Sequence, residues 1–534
     1  MTPPVDLESG SSKPHAILSL ARDLLSRIDA PKDHWEVAAH LEVSGIRDAD
    51  VRDEYGCADV FALAQEIMAL ATEVTPRRPP PAKRPAPLLW RFLKGYVTGL
   101  LFAMPMAAQT FFMILFGYSL WAWIEFSTHE ATAIALGTVA SFIVTGGFTQ
   151  AISRRGMFYI HQHEDILTRA VSYRMTALAV VTVVVVGVFF FVANLLFEIL
   201  PLQMVVQAEL YFFMLSLLWL SSSILYMLRK QLLCAAIICL ALLVVHVPIL
   251  LFNVPIVLAH TLGLVTAIAL SFVSGWLILT RRAKRAHRDY AGAALPRPSI
   301  LVYATAAYFW YGLLYFSFLF ADRVIAWSTE AGRGLLPYFI WFDSRYELGM
   351  DWALLCFVLT VGILEFTIQE FSDRIIPGAQ AVRADDAAAF NRTFTRFYYW
   401  HLALFALAAF GSIVVSFWGL TMLRNAGVFP FIEVFFNPVT KSVFWWAALG
   451  YVFLVLGLFN SVFLFALSRP FFVLRALGAG FVLNVIVGFV LSRVVSSELA
   501  VVGLTVGAFV FMLLSSLYAR RAFNRLDYYY YSAY

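Results

Sequence analysis

From residue 91 onward the chain carries twelve apolar stretches of about 20 residues, each long enough to cross a bilayer as a helix at roughly 1.5 Å per residue. They are centred near Met106, Ser141, Gly187, Leu218, Leu242, Ala267, Tyr315, Thr360, Ala408, Val455, Leu483 and Ala508. Lipid offers no hydrogen bonds, so each stretch satisfies its backbone within itself and must be helical. The predicted fold class is an all-α polytopic membrane protein with 12 transmembrane helices. Turn-forming or charged residues separate most spans; Phe252–Pro255 and Ser468–Pro470 are the tight junctions. Composition agrees, with 61% hydrophobic and 14% charged residues against roughly a quarter charged in soluble domains.

The polar head, residues 1–76, is a different object. It holds 6 Lys/Arg against 14 Asp/Glu, net −8, which leaves net +13 for the rest of a chain whose formal charge is +5. Its opening lacks a basic region leading into an apolar core, so no cleavable secretory signal is expected. Ile17, Leu20, Leu24 and Ile28 recur at helical spacing. Asp33 with Glu36 forms a capping-box pattern before "WEVAAHLEV", and Gly45 stops that helix. Asp48 and Gly56 bracket a third short helix, and "ADVFALAQEIMALATEV" supplies the last. The head is expected to be a small helical packing or adaptor domain with no catalytic constellation.

"PRRPPPAKRPAP" makes residues 77–90 a stiff basic linker suited to an anionic membrane surface. Two lobes follow, at residues 91–285 (spans 1–6) and 299–521 (spans 7–12), joined by the basic loop 286–298 and closed by the Tyr-rich tail 522–534. Assigning residue 1 to the cytoplasm puts, from Arg77 onward, 26 basic residues in inner segments against 5 in outer ones, so the positive-inside rule predicts both termini cytoplasmic. Twelve spans split six and six suggest a duplicated bundle around a central path, the architecture of many transporters. The tail is expected to be a disordered or interfacial end. The segments "GRGLLPYFIWFDSRYELGM" and "NAGVFPFIEVFFNPVTK" are expected to lie along the membrane plane.

Charges within spans are expensive and mark cavities or partners. Asp322 and Arg323 fall near the outer end of span seven. Counting from Asp351 places Glu365 in the inner half of span eight, at the level of Arg475 in span eleven, so Glu365–Arg475 is the expected ion pair. Gln369 extends the Glu365 face by one turn, and Glu370 is expected to be solvated. For Arg323 the rival reading is a side chain that snorkels to headgroups. His246 and His260 reach similar depths from opposite directions and are a candidate proton relay, against the plainer reading of hydrogen-bonded core histidines. Gln109, Thr110, Asn460 and Asn484 are candidates for interhelical hydrogen bonds. Span seven is rich in aromatic residues, whose planes can carry sugar rings.

Cys57, Cys234, Cys239 and Cys356 have no zinc-like spacing and read as free thiols. H-E-x-x-H, G-x-S-x-G and Walker-type motifs are absent. No enzyme activity, cofactor, metal or nucleic-acid partner is expected, and energy would come from an ion gradient or from a partner that pushes its product through.

"SFIVTGGFTQAISRRGMFY", "WLSSSILYMLRKQLLCAAII", "YGLLYFSFLFADRVIAWS" and "RYELGMDWALLCFVLTVGILEFTIQEF" resemble segments of the multidrug/oligosaccharidyl-lipid/polysaccharide (MOP) flippase superfamily, and within it of the Pel-type exopolysaccharide transporters (PelG-like). Arg323, Glu347 and Phe366 stand where that pattern has lysine, aspartate and threonine. The resemblance covers most of residues 91–526. It implies two six-helix lobes of MOP/MATE-like fold that open alternately to either side and export an exopolysaccharide, or its lipid-linked precursor, across a bacterial inner membrane. On that resemblance Asp322 and Arg323 form an outer polar gate or helix-pairing contact and Glu365 with Arg475 a deeper inner station, Gln369 being a further gate candidate on the Glu365 stripe. The partners it implies are the bilayer, a glycan or glycolipid, and a cytoplasmic glycosyltransferase docked on residues 1–76. The alternatives are a cation-coupled multidrug antiporter and a non-transporting membrane subunit of a glycan synthase; an intramembrane acyltransferase is a poorer third.

Overall fold

The computed structural model describes residues 12–27, 33–73, 87–285, 296–329, 339–381, 387–427, 429 and 431–532. Among these residues the structure is helical, with one isolated bridge between Tyr118 and Trp123. The chain forms two compact units, Met1–Trp90 with Glu370–Thr395, and Arg91–Gln369 with Arg396–Tyr534.

The first unit contains the head helices α1 (Ser12–Arg27), α2 (His34–Val43), α3 (Asp48–Asp50), which runs on into a wide turn at Val51–Tyr55, and α4 (Val60–Glu73). Their boundaries follow local chemistry. The Asp33 carboxylate accepts from the Glu36 amide at 2.9 Å, and Gly45 and Gly56 take positive φ after α2 and after the turn. Asp48 accepts from the Val60 amide at 3.0 Å, tying the start of α4 to α3. Ala21, Val37, Leu41, Val51, Leu63 and Ile67 close a small apolar core with Cys57 beside it. Burial of Cys57 and the nearby Glu66 carboxylate push its thiol above the usual range. In the same unit Phe371, Phe390 and Phe394 pack together, and Glu370 is buried and paired with Arg374 at 2.9 Å. Glu370 is therefore an ion-paired buried carboxylate, not the solvated one expected.

Among the described residues twelve helices have membrane-spanning length and composition, nine of them wholly in the second unit and three, α5, α12 and α13 below, running partly in the first. They are α5 (Leu88–Phe116), α6 (Thr128–His161), α7 (Asp165–Phe197), α8 (Leu202–Met227), α9 (Gln231–Phe252), α10 (Ile256–Arg285), α11 (Pro298–Trp327), α12 (Ser344–Ala381), α13 (Ala387–Asn425), α14 (Pro438–Ala466), α15 (Pro470–Val494) and α16 (Ala500–Phe523). Each predicted span centre lies in its own helix. In the first lobe α6, α7, α8, α9 and α10 pack around one another; in the second α14 and α15 pack on α16, and α11 packs on α15.

The lobes meet along two seams that glycine makes possible. In one, α5 lies against α12 so closely that a Cβ on Gly99 would sit 2.7 Å from the Gly362 Cα. In the other, α6 crosses α11, and a Cβ on Gly312 would sit 2.2 Å from the Gly146 carbonyl oxygen. Any side chain there forces the helices apart.

Two segments outside the spans are ordered. Within "NAGVFPFIEVFFNPVTK", residues Ile432–Phe436 form a 3-10 turn with Ile432, Phe435 and Phe436 buried. Arg424 bonds Glu433 at 2.8 Å and holds that carboxyl below the usual range. The tail folds as α17 (Leu526–Tyr531), with Leu526 and Tyr529 buried and Arg469 5.1 Å over the Tyr529 ring. An apolar anchor at i and i+3 docks it, so the described tail residues are ordered rather than disordered. The basic loop at 286–295, most of the linker and residues 330–338 lie outside the described residues.

Candidate functional site

The site begins with two consecutive residues on α11. Asp322, with no exposed surface, accepts from the Tyr346 hydroxyl at 2.6 Å. Arg323 turns into the lobe and pairs with Glu347, their side chains 11% and 9% exposed. Its guanidinium also reaches the Tyr451 hydroxyl at 3.4 Å and lies 5.3 Å from the Phe320 ring centroid. Arg323 therefore does not snorkel to the surface: a buried guanidinium persists where a carboxylate and further donor–acceptor contacts compensate it. Asp351 follows Glu347 by one turn of α12 and shares its face.

The facing wall comes from the segment after α5. Gly117, at φ 75°, turns the chain into a short hairpin closed by the Ile124 amide on the Gly117 carbonyl (2.8 Å) and the Ser119 amide on the Ala122 carbonyl (2.7 Å). Two side chains pin this hairpin into the first lobe. Gln109 accepts from the buried Leu120 amide at 2.8 Å, and the Tyr118 hydroxyl bonds His246 Nδ1 at 2.5 Å. Burial raises the Tyr118 phenol above its usual range, keeping it protonated. Across the lobes the Phe342 amide donates to Thr132 Oγ1 at 3.1 Å.

Hairpin, α6, α11 and α12 enclose a cavity of about 230 Å³. Trp121, Trp123 and Phe126 line it from the first lobe, and Phe320, Arg323, Trp327, Phe342, Glu347 and Asp351 from the second. Three lining atoms are buried without a hydrogen-bond partner: Trp327 Nε1, Arg323 Nε and Glu347 Oε1. Each such group costs about 1–3 kcal/mol when left unpaired. These three atoms have essentially no accessible surface and do not open onto the cavity, whose walls combine aromatic faces with the Arg323–Glu347 pair and Asp351.

The other predicted residues fall elsewhere. Glu365 accepts from Gln369 Nε2 at 2.9 Å, one turn along the same helix, and its Cβ packs toward Gly99 of α5. Arg475 lies exposed on α15, opposite the face of Val473, Ala476 and Leu477 that packs inward. The expected Glu365–Arg475 ion pair does not form: equal depth left the azimuth open, and the two side chains face different neighbours. His246 and His260 do not bond one another, since His260 Nδ1 bonds the Tyr211 hydroxyl at 2.9 Å while His246 serves Tyr118. Asn460 and Asn484 do make interhelical bonds, to Tyr398, Ser515 and Ser516 and to the Phe318 carbonyl. Thr110 bonds only within its own helix. Among the described residues no group of three or more His, Cys, Asp or Glu side chains is placed to hold a metal.

Glu347 and Asp351 are the site residues that sequence reasoning did not single out. The signal was present, two carboxylates at i and i+4, but it stood at a span boundary that the helix in fact begins before.

Together these features define a polytopic helical membrane protein of two six-helix lobes with a mixed polar and aromatic cavity where the lobes meet. No family model matches the sequence, and no curated protein matches it. Solved structures share its fold. The eukaryotic MATE transporter AtDTX14 aligns with a TM-score of 0.51 and 14% identity, over 83% of this chain and 100% of that one. The Vibrio cholerae MATE transporter VcmN aligns at 0.51 and 13%, over 83% and 96%. An outward-facing multidrug resistance MATE family transporter of the MOP superfamily aligns at 0.49 and 14%, over 82% and 96%. The fold of this chain is that of the MATE transporters.

Proposed function

We propose that the chain is a transporter of a bacterial inner membrane, both termini cytoplasmic, that exports an exopolysaccharide by alternating access between its two lobes. One observation carries this reading. The cavity draws its walls from both lobes, and six aromatic side chains stand there beside the Arg323–Glu347 pair and Asp351. Sugar rings, with hydroxyls at their edges and C–H faces above and below, suit such walls. The Asp322–Tyr346 and Arg323–Glu347 contacts form the outer gate on this reading, and Glu365 with Gln369 lines a second station at the α5–α12 seam.

Cation-coupled multidrug antiport is the second reading, and it is compatible with a fold shared with MATE transporters. The deciding experiment deletes the gene in its native host and measures secreted polymer and drug susceptibility side by side. Loss of polymer with unchanged susceptibility supports glycan export; the reverse result overturns it.

A further inference from the structure

We infer that the exposed aromatic pair Trp35 and Phe61 of the head is the docking face for the chain's own proline–arginine segment, Pro76–Pro87, held there in cis. The inference stands independently of what the chain transports.

Three observations combine. The first is an uncovered aromatic face. The head closes its core with Val37, Ala38 and Leu41 of α2 and Leu63, Ala64 and Ile67 of α4, yet Trp35 is 50% and Phe61 39% exposed. Their rings stand edge to face with centroids 4.9 Å apart, and the His34 ring lies 5.2 Å from that of Trp35. Two helices thus turn adjoining rings outward that their own core does not use. Such rings take the prolines of an extended segment, or a guanidinium, on their faces.

The second is charge. The described head residues, 12–27 and 33–73, hold 11 Asp/Glu against 5 Lys/Arg. Glu42 is exposed two turns along α2 on the side of Trp35. Asp59, which caps α4 by accepting from the Ala62 amide at 2.8 Å, precedes Phe61 by two residues. The segment carries Arg77, Arg78, Lys83 and Arg84 and no acidic residue. Pro76 and Pro79 at its start have the P-x-x-P spacing of chains that dock aromatic-lined grooves.

The third is reach. The segment lies outside the described residues, but α4 ends at Glu73, three residues before it. From Phe61 to Glu73 the helix rises roughly 18 Å at 1.5 Å per residue, and about six extended residues at roughly 3.1 Å each retrace that distance. A flexible tether this short gives an effective concentration in the millimolar range, so weak contacts suffice and an outside partner is at a disadvantage.

The test uses the full-length protein in a neutral maltoside detergent, where no anionic surface competes. Trypsin cuts the segment after Arg77 and after Lys83, because bonds to Pro79 and Pro85 resist it, and mass spectrometry reads the two cuts. When opening outpaces cutting, the rate follows the undocked fraction. Trp35→Ala combined with Phe61→Ala is expected to speed both cuts about 5-fold, the loss of one or two exposed ring contacts. Continued protection of the buried Cys57 thiol from maleimide shows that the variant head stays folded. Salt at about 0.5 M screens exposed charges and should speed the cuts in the wild-type protein but not in the double variant. Equal rates in wild type and a folded double variant overturn the inference. So do wild-type rates unmoved by salt, a result that needs no variant. Protection that appears only with anionic lipid assigns the segment to the membrane surface, and protection that fades on dilution assigns it to a second copy; either result overturns docking in cis.

Discussion

Tyr346 donates to Asp322 at 2.6 Å, and the very next residue on each helix forms the Glu347–Arg323 ion pair. Two adjacent rungs therefore clasp α11 to the start of α12 at the cavity wall. Because the ion pair is buried, removing one partner strands the other. Glu347→Ala is expected to destabilise the protein by about 3–5 kcal/mol, whereas Arg323→Met combined with Glu347→Leu recovers most of that loss. Thermal unfolding in detergent checks both; a single variant as stable as the double one would contradict the buried-pair account.

Tyr346→Phe tests the other rung alone. It keeps the ring and deletes one hydrogen bond to a carboxylate, with an expected cost of about 1.5–3 kcal/mol. Asp322→Asn retains an acceptor and should cost less. Denaturation midpoints of the two variants, compared directly, decide the order.

The hairpin offers a site-resolved measurement. Gln109→Ala leaves the buried Leu120 amide without its acceptor, so the hairpin should open more often, by about 1–3 kcal/mol. Hydrogen exchange at Leu120 should then rise roughly 5- to 150-fold, provided the segment opens locally. Protection equal to wild type would show that Tyr118 and His246 hold the hairpin unaided.

At the α6–α11 seam, Gly312→Ala inserts a methyl where the Gly146 carbonyl stands. Overpacking of this kind costs about 1–3 kcal/mol. Here it should also reduce transport while leaving membrane insertion intact, because the seam joins the lobes. Gly411 has nothing within 4 Å of its Cβ position, so Gly411→Ala serves as the tolerated control for both assays.

Glu365 and Arg475 make a test by independence. With no bond between them, the double-mutant cycle of Glu365→Gln and Arg475→Gln should be additive within about 0.5 kcal/mol. A larger coupling in stability would restore the pair expected from depth alone.

That pair shows how far a sequence carries. Counting residues at a fixed rise gives distance along a helix, and Asp322 does fall near the far end of α11. Azimuth depends on which helix face finds a partner, and that is decided by packing between segments hundreds of residues apart. Glu365 faces α5 because Gly99 and Gly362 let the backbones touch, a relation no local window contains. The twelve spans were legible because each is a local property of some 20 residues. Glu347 and Asp351 were obscured differently: a span started at Asp351 leaves Glu347 in a loop, whereas the helix begins at Ser344. Trp121 and Trp123 looked like a plain connection because nothing local marks a hairpin as inserted; its anchors, Gln109 and His246, lie on other elements.

The grouping of Met1–Trp90 with Glu370–Thr395 bears on biogenesis. About 280 residues, including six complete spans, separate the two parts of that unit. At typical translation rates of about 5–20 residues per second, the early helices wait some 15–60 s for the later segment of their unit. The residues of the head core, Ala21, Val37, Leu41, Leu63 and Ile67, are all made before that interval begins, so a ribosome stalled before residue 370 should display a head core as resistant to protease as that of the finished chain.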